Sequence, residues 1–260
     1  QAAHEAALAA AQDKATVSVF SDTIQGHKPT NEDRFTNSLA VGTRKFGKWV
    51  AVYDGHGGDE CAQHLATNLH HACEAAWQGQ HTPRAITAAF VDGFARVEAD
   101  YLEQAGRQKW LAGSTACVVL LHGWQPPPPC RQNGGRDCVL WCANLGDTRA
   151  VLCRGGKSKK LSEDHKPNRP DEKKRVEAAG GFVLNMGGVW RATNNAGGMG
   201  DIDAGESSLY LAVSRAFGDP QLKKLSSASA TGDTVISAVP EVKSCALAPD
   251  DLFFIVACDG

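Results

Sequence analysis

The chain has 260 residues, 42% hydrophobic and 22% charged, an ordinary globular balance able to bury one sizeable core. Its net charge of -2 supplies no global field to recruit nucleic acid or an anionic membrane, and no apolar run approaches the roughly 18 residues of a membrane span. Nine cysteines, scattered through apolar runs such as 117-CVVLL-121, lack the paired spacing of a zinc site and read as buried thiols of a reducing compartment, cytosol or nucleus.

In chain order, the alanine-rich start reads as a helical arm over residues 1–15, with neither the basic start nor the apolar centre of a signal peptide. Residues 16–22 and 34–40 read as strands around a polar turn, 25-QGHKPTNED-33, and a further strand is expected at 48–53. Helical spacing follows over 59–77 (Ala62, Leu65, Leu69, Ala72) and 84–106 (Ile86, Phe90, Phe94, Val97). After a strand at 114–121, the Pro/Gly-rich stretch 123–137 cannot hold a ladder and reads as a surface insertion. VLWCANL, TRAVLCR and KSKKLS, separated by GD and GG, read as a three-strand meander. Pro170 followed by Asp171 and Glu172 opens a short helix, and Gly180-Gly181 closes it. Residues 192–208 and 225–234 are small and polar, hence loops, with LYLAVS (209–214) a strand between them. The last strand, LFFIVA, runs into Cys258-Asp259-Gly260. Strands joined by turns, with helices grouped in pairs rather than after every strand, predict an antiparallel α+β layered fold.

Two apolar strands therefore end in Asp-Gly, at Asp54-Gly55 and Asp259-Gly260. The other candidate acids are Glu32 and Asp33 in a turn and Asp147 at a hairpin tip. Alone, each has an ordinary explanation, since an aspartate at a turn commonly caps its own backbone. Together, converging carboxylates repel one another and need a counter-charge, which magnesium or manganese provides. An aspartate bridging two such ions, with water between them, makes a nucleophile available at neutral pH. The glycine after Asp54 lets its carbonyl approach an ion as a further ligand. His56 stands where it can protonate a leaving oxygen, and Lys28 where it can hold a phosphoryl oxygen as a point charge. A nucleotide-binding reading of 155-GGKS-158 fails, because the first glycine of a phosphate loop would fall at Val151, inside a strand.

The segments NED (31–33), YDGHGG (53–58), GSTA (113–116), ANLGDTRAVL (143–152), DHKP (164–167), RVEAAGG (175–181), LAVSRAFGD (211–219) and ACDG (257–260) occur in that order. In this the chain resembles the metal-dependent Ser/Thr protein phosphatases of type 2C, over residues 16–260. The resemblance implies a four-layer α-β-β-α sandwich of two antiparallel sheets flanked by helices, with two Mg2+ or Mn2+ ions at one end. It implies hydrolysis of phosphoserine and phosphothreonine in proteins by direct attack of a metal-bridging hydroxide, without a phosphoenzyme, by a single-subunit enzyme. Asp54 would bridge the ions, the Gly55 carbonyl and Glu32 would bind one, Asp259 the other, and Asp33 one ion or its water. Asp147 matches the position of a weaker third ion, His56 the general acid, and 182–208 a flap beside the site. The sequence has lysine at 28 where the family commonly has arginine. The family continues beyond its Asp-Gly to a final Asp-Asn ligand, so the catalytic domain is expected to be C-terminally incomplete, with a sheet edge open. The alternative implied by these departures is a pseudophosphatase that keeps the fold and docks partners.

Overall fold

In the computed structural model, residues 18–26, 29–38, 46–122, 138–194, 209–223 and 233–259 are described. Alternation of side chains along the strands decides the layering. In β5 (Ala116–His122) the even residues Ala116, Val118 and Leu120 join one core, and the odd residues Cys117, Val119 and Leu121 another. β6 (Val139–Leu145) divides likewise, Trp141, Ala143 and Leu145 against Leu140 and Cys142. A strand buried on both faces reads as a near-continuous apolar run, and so do these two, interrupted only by Asn144 and ended by His122. They form the middle of a five-stranded sheet, with β1 (Arg34–Ser38) and β2 (Lys48–Tyr53) on one side and β12 (Glu241–Ala246) on the other, in the order β1-β2-β5-β6-β12.

The outer face of this sheet is covered by α1 (Glu60–Ala76) and α2 (Pro83–Gln108), whose apolar stripes meet Trp49, Ala51 and Tyr53 of β2. Thr82 caps α2 by accepting the Ala85 N–H at 3.2 Å, and Pro83 suits its first turn. The inner face packs against a second sheet, β13-β7-β8 (Asp251–Ala257, Arg149–Arg154, Lys157–Lys160), through Leu152, Phe254 and Val256. All strand pairings in these two sheets are antiparallel. The expected helix, sheet and sheet layers are thus present. On the outer side of the second sheet, at its edge strand β13, Leu252, Phe253 and Ile255 remain more than half exposed.

Two small sheets complete the fold. β3 (Gly55–His56), β4 (Gly113–Ser114) and β11 (Phe217–Gly218) pair in the order β11-β4-β3. β9 (Phe182–Met186) and β10 (Val189–Thr193) form a hairpin beside α3 (Pro170–Ala178), inside the segment expected to be a flap.

Several expectations shift. Residues 18–22 are not a strand, and 16–17 lie outside the described residues with the expected arm at 1–15. The insertion at 123–137 lies outside them too, as does most of each expected loop, at 195–208 and 224–232. LYLAVS is not a strand either. Leu211 exchanges two hydrogen bonds with Ala192 (2.8 and 3.0 Å), but Ser214 turns to donate to His165 at 2.8 Å, so no single partner strand is followed. β12 was not anticipated, because Glu241, Lys243 and Ser244 break its apolar pattern. The eight cysteines among the described residues are free thiols, most of them buried.

Candidate metal centre

The end of β2 closest to β13 carries the chemistry. Asp54 follows the last β2 residue, and the GSTA segment pins its backbone from both directions. The Thr115 N–H donates to its carbonyl at 2.9 Å, and the Ser114 hydroxyl to the same oxygen at 3.2 Å. The Asp54 N–H donates to the Thr115 hydroxyl at 3.3 Å, and Thr115 is held in turn by Thr148 at 2.6 Å. Anchoring both backbone groups fixes the direction of the carboxylate.

Gly55 is where two chains come too close for a side chain. A Cβ there would collide with the Glu32 backbone carbonyl and come within 3.2 Å of Ala62 Cβ. The turn carrying Glu32 and Asp33 is therefore seated directly on β3. Arg34, which sequence reasoning passed over, staples that turn. Its guanidinium donates to the carbonyls of Asn31 (2.9 Å) and Asp33 (2.8 Å), to Gln63 Oε1 (2.8 Å), and to Asp59 at the start of α1. Glu32 Oε1 accepts the Gly58 N–H at 2.7 Å, so this carboxylate also orders the glycine turn after His56.

Asp33, Asp54 and Cys258 bring one ligand atom each within 4.8 Å of the others, the only such group among the described residues, and all three are half-buried. The aspartate-bearing tips do converge, but across the sandwich: β2 and β13 belong to different sheets. Glu32, Asp147 and the exposed Asp259 lie outside this group of atoms. Cys258, 3.5 Å from Asp33 Oδ2, is a member the sequence reading missed; its signal was its place immediately before Asp259. Asp147 is engaged by Lys166 of DHKP at 2.5 Å, so a cation bound there would displace an ammonium group. Lys28 lies outside the described residues.

His56 points its Nε2 at the carboxylate of Asp219, 2.9 and 3.1 Å from the two oxygens. Burial disfavours its charged form, but the hydrogen bond and charge of Asp219, with Asp54 and Glu32 behind, outweigh it. The imidazole pKa is raised above its ordinary value.

The donor set fits hard divalent ions in its two carboxylates, Asp33 and Asp54, which bring oxygens together. The thiol is a softer donor that magnesium does not favour. Two antiparallel sheets with Asp33 and Asp54 at their converging tips define an α+β sandwich with an acidic end. The chain belongs to the protein phosphatase 2C family, whose model matches residues 17–260.

Curated relatives include a probable protein phosphatase 2C 14 of Arabidopsis thaliana, 33% identical, covering 90% of this chain and 43% of that protein. Probable protein phosphatase 2C 59 of the same plant is 36% identical, over 80% of this chain and 53% of its own length. The chain thus spans about half the length of these relatives. Among solved structures, a serine-threonine phosphatase 2C from Toxoplasma gondii shares the fold with a TM-score of 0.69 at 22% identity, covering 89% of this chain and 74% of that one. Among the described residues no helix is long and apolar enough to cross a membrane.

Proposed function

We propose that this chain hydrolyses phosphoserine and phosphothreonine in protein substrates, as a single subunit, using two magnesium or manganese ions. The observation that carries the reading is the meeting of Asp33 and Asp54 at the tip of the sandwich, in a chain of this family. In this reading Asp54, Glu32, Asp33, the Gly55 carbonyl and Asp259 would supply the oxygens that hold the ions. Asp147, paired with Lys166, would hold a weaker third ion. Bound ions supply a water nucleophile at neutral pH and offset the charge of the phosphoryl group. The chain's own residues do the rest. The Ser114 and Thr115 contacts keep Asp54 aimed, Arg34 holds the Glu32–Asp33 turn in place, Lys28 binds a phosphoryl oxygen, and His56 gives a proton to the departing serine or threonine oxygen.

The test is phosphate release from a phosphothreonine peptide, titrated with manganese, beside Asp54→Asn. Turnover should require the metal and should fall in the variant by more than the roughly 10–100-fold that losing an outer partner of a metal site costs. Circular dichroism should stay unchanged. Full activity in a folded Asp54→Asn chain would refute the reading.

A further inference from the structure

We propose that Asp219 is the positioning residue for His56, a carboxylate–imidazole pair that presents the ring to the leaving oxygen. This rests on the phosphatase reading and adds a partner to its proton donor.

The pairing is built through a missing side chain. Within the small sheet, His56 lies opposite Gly113, and Gly113 lies opposite Gly218. Any Cβ at 113 would occupy the space of the Asp219 carboxylate, meeting its Cγ and Oδ1 at 2.5 Å. Glycine at 113 is thus the window through which a residue of β3 and the residue after β11 touch.

Asp219 itself sits in a conformation that needs support. Its φ is +53, in the left-handed region that few non-glycine residues visit, and it is 1% exposed. Such an outlier persists only where its surroundings determine it, and it is a pointer to function. The surroundings here do so. The Asp219 N–H donates to the Ala112 carbonyl at 3.3 Å, and its own carbonyl accepts the Leu222 N–H at 2.8 Å. The preceding Gly218 N–H donates to the buried Glu98 of α2 at 2.9 Å. Glu98 is paired with Lys223 at 2.8 Å, and Lys223 also donates to the Ala216 carbonyl at 2.6 Å. A carboxylate this buried needs a strong donor, and the Nε2–H of His56 straddles both its oxygens.

The contact assigns the two ring nitrogens. Nε2 keeps its proton against Asp219, so the proton given to substrate leaves from Nδ1. As the ester P–O bond breaks and the water oxygen forms the new one, the serine or threonine oxygen takes the Nδ1 proton. A proton shed by the attacking water restores the ring, and the sum is ester plus water giving alcohol plus phosphate.

Leaving groups separate this role from a structural one. A phosphothreonine peptide needs its leaving oxygen protonated, whereas p-nitrophenyl phosphate does not. In the 260-residue chain with manganese, Asp219→Asn should lower kcat on the peptide roughly a hundredfold. Its effect on p-nitrophenyl phosphate should be at least tenfold smaller, and it should cause little further loss on the peptide in a His56→Gln background. In the metal-free chain, 15N spectra of the His56 ring should show a protected Nε2–H that Asp219→Asn exposes to solvent exchange. Equal losses on both substrates, additive losses in the double variant, or a freely exchanging Nε2–H in the unmodified chain would overturn the proposal. A wild-type chain that turns over neither substrate would overturn the phosphatase reading, and the role assigned to the pair with it.

Discussion

At the scale of single residues, the site depends on absences as much as on ligands. Gly55 is buried and meets the Glu32 carbonyl where its own Cβ would be. We therefore expect Gly55→Ala to push the Glu32–Asp33 turn off β3 and weaken manganese binding about 10–100-fold, the range found when groups supporting a metal ligand are lost. Calorimetric titration measures this directly, and unchanged affinity would show that the turn has slack. The sequence made Asp33 and Asp54 visible as candidates only as members of a set, because several acids gathered at turns and strand tips need a shared counter-charge. It did not show Cys258 joining them, or Arg34 and Asp219 supporting the site. Each of the three makes a contact with a partner 25 to 225 positions away in the chain, which nothing in local composition marks.

At the scale of elements, α1 and α2 illustrate how tertiary contact reverses an intrinsic preference. Glycine inside a helix is disfavoured against alanine by about 1 kcal/mol. Yet a Cβ on Gly93 of α2 would come within 2.7 Å of Cys73 Cα and 2.8 Å of its nitrogen on α1. Backbone atoms cannot swing aside, and overpacking costs typically 1–3 kcal/mol. Gly93→Ala should therefore lose about 1–2 kcal/mol net of its propensity gain. Gly106, on the same helix, has nothing within 4 Å of its would-be Cβ, so Gly106→Ala should gain about 0.5–1 kcal/mol. Urea unfolding of the two variants tests the argument, and opposite signs are expected.

At the scale of the whole molecule, the pH dependence of stability follows from buried ionisable groups outside the metal centre. His165 is fully buried and accepts the Gly146 N–H on Nδ1 at 3.1 Å. Burial, with Arg215 and Arg169 nearby, lowers its pKa to about 4. The folded chain thus keeps it neutral while the unfolded chain takes up a proton below about pH 6.5. Stability from this group is complete above 6.5 and is lost as pH falls toward 4, by up to about 3 kcal/mol. His64, His70 and His122, lowered by burial, add the same sign. Glu172 extends the decline. Burial raises its pKa, but Arg215, Arg175 and the Ser214 hydroxyl bring it to about 2, so its contribution disappears as pH falls below about 4.5. Urea midpoints should drop from pH 7 to 5 and again to 3, and His165→Gln should shrink the first drop. Equal midpoints at pH 7 and 5 would contradict this account.

Sequence alone determined these regular elements: β2 at 48–53, the β6–β7–β8 meander, both long helices and α3. β2 and the two long helices bury side chains at their own period, and the meander and α3 are marked by the turn and capping residues between and around them, so the pattern is written locally. It also determined, through eight ordered motifs, the family and the candidate acids. Only the tertiary structure decided that the strand tips meet across two sheets, that LYLAVS forms no strand, and that the polar stretch at 241–246 does. Edge pairing and convergence depend on which distant backbone is nearby to accept hydrogen bonds. His56 shows the difference: its position after Asp54 was legible, whereas its carboxylate partner, 163 residues on, was brought to it by a glycine on a third strand.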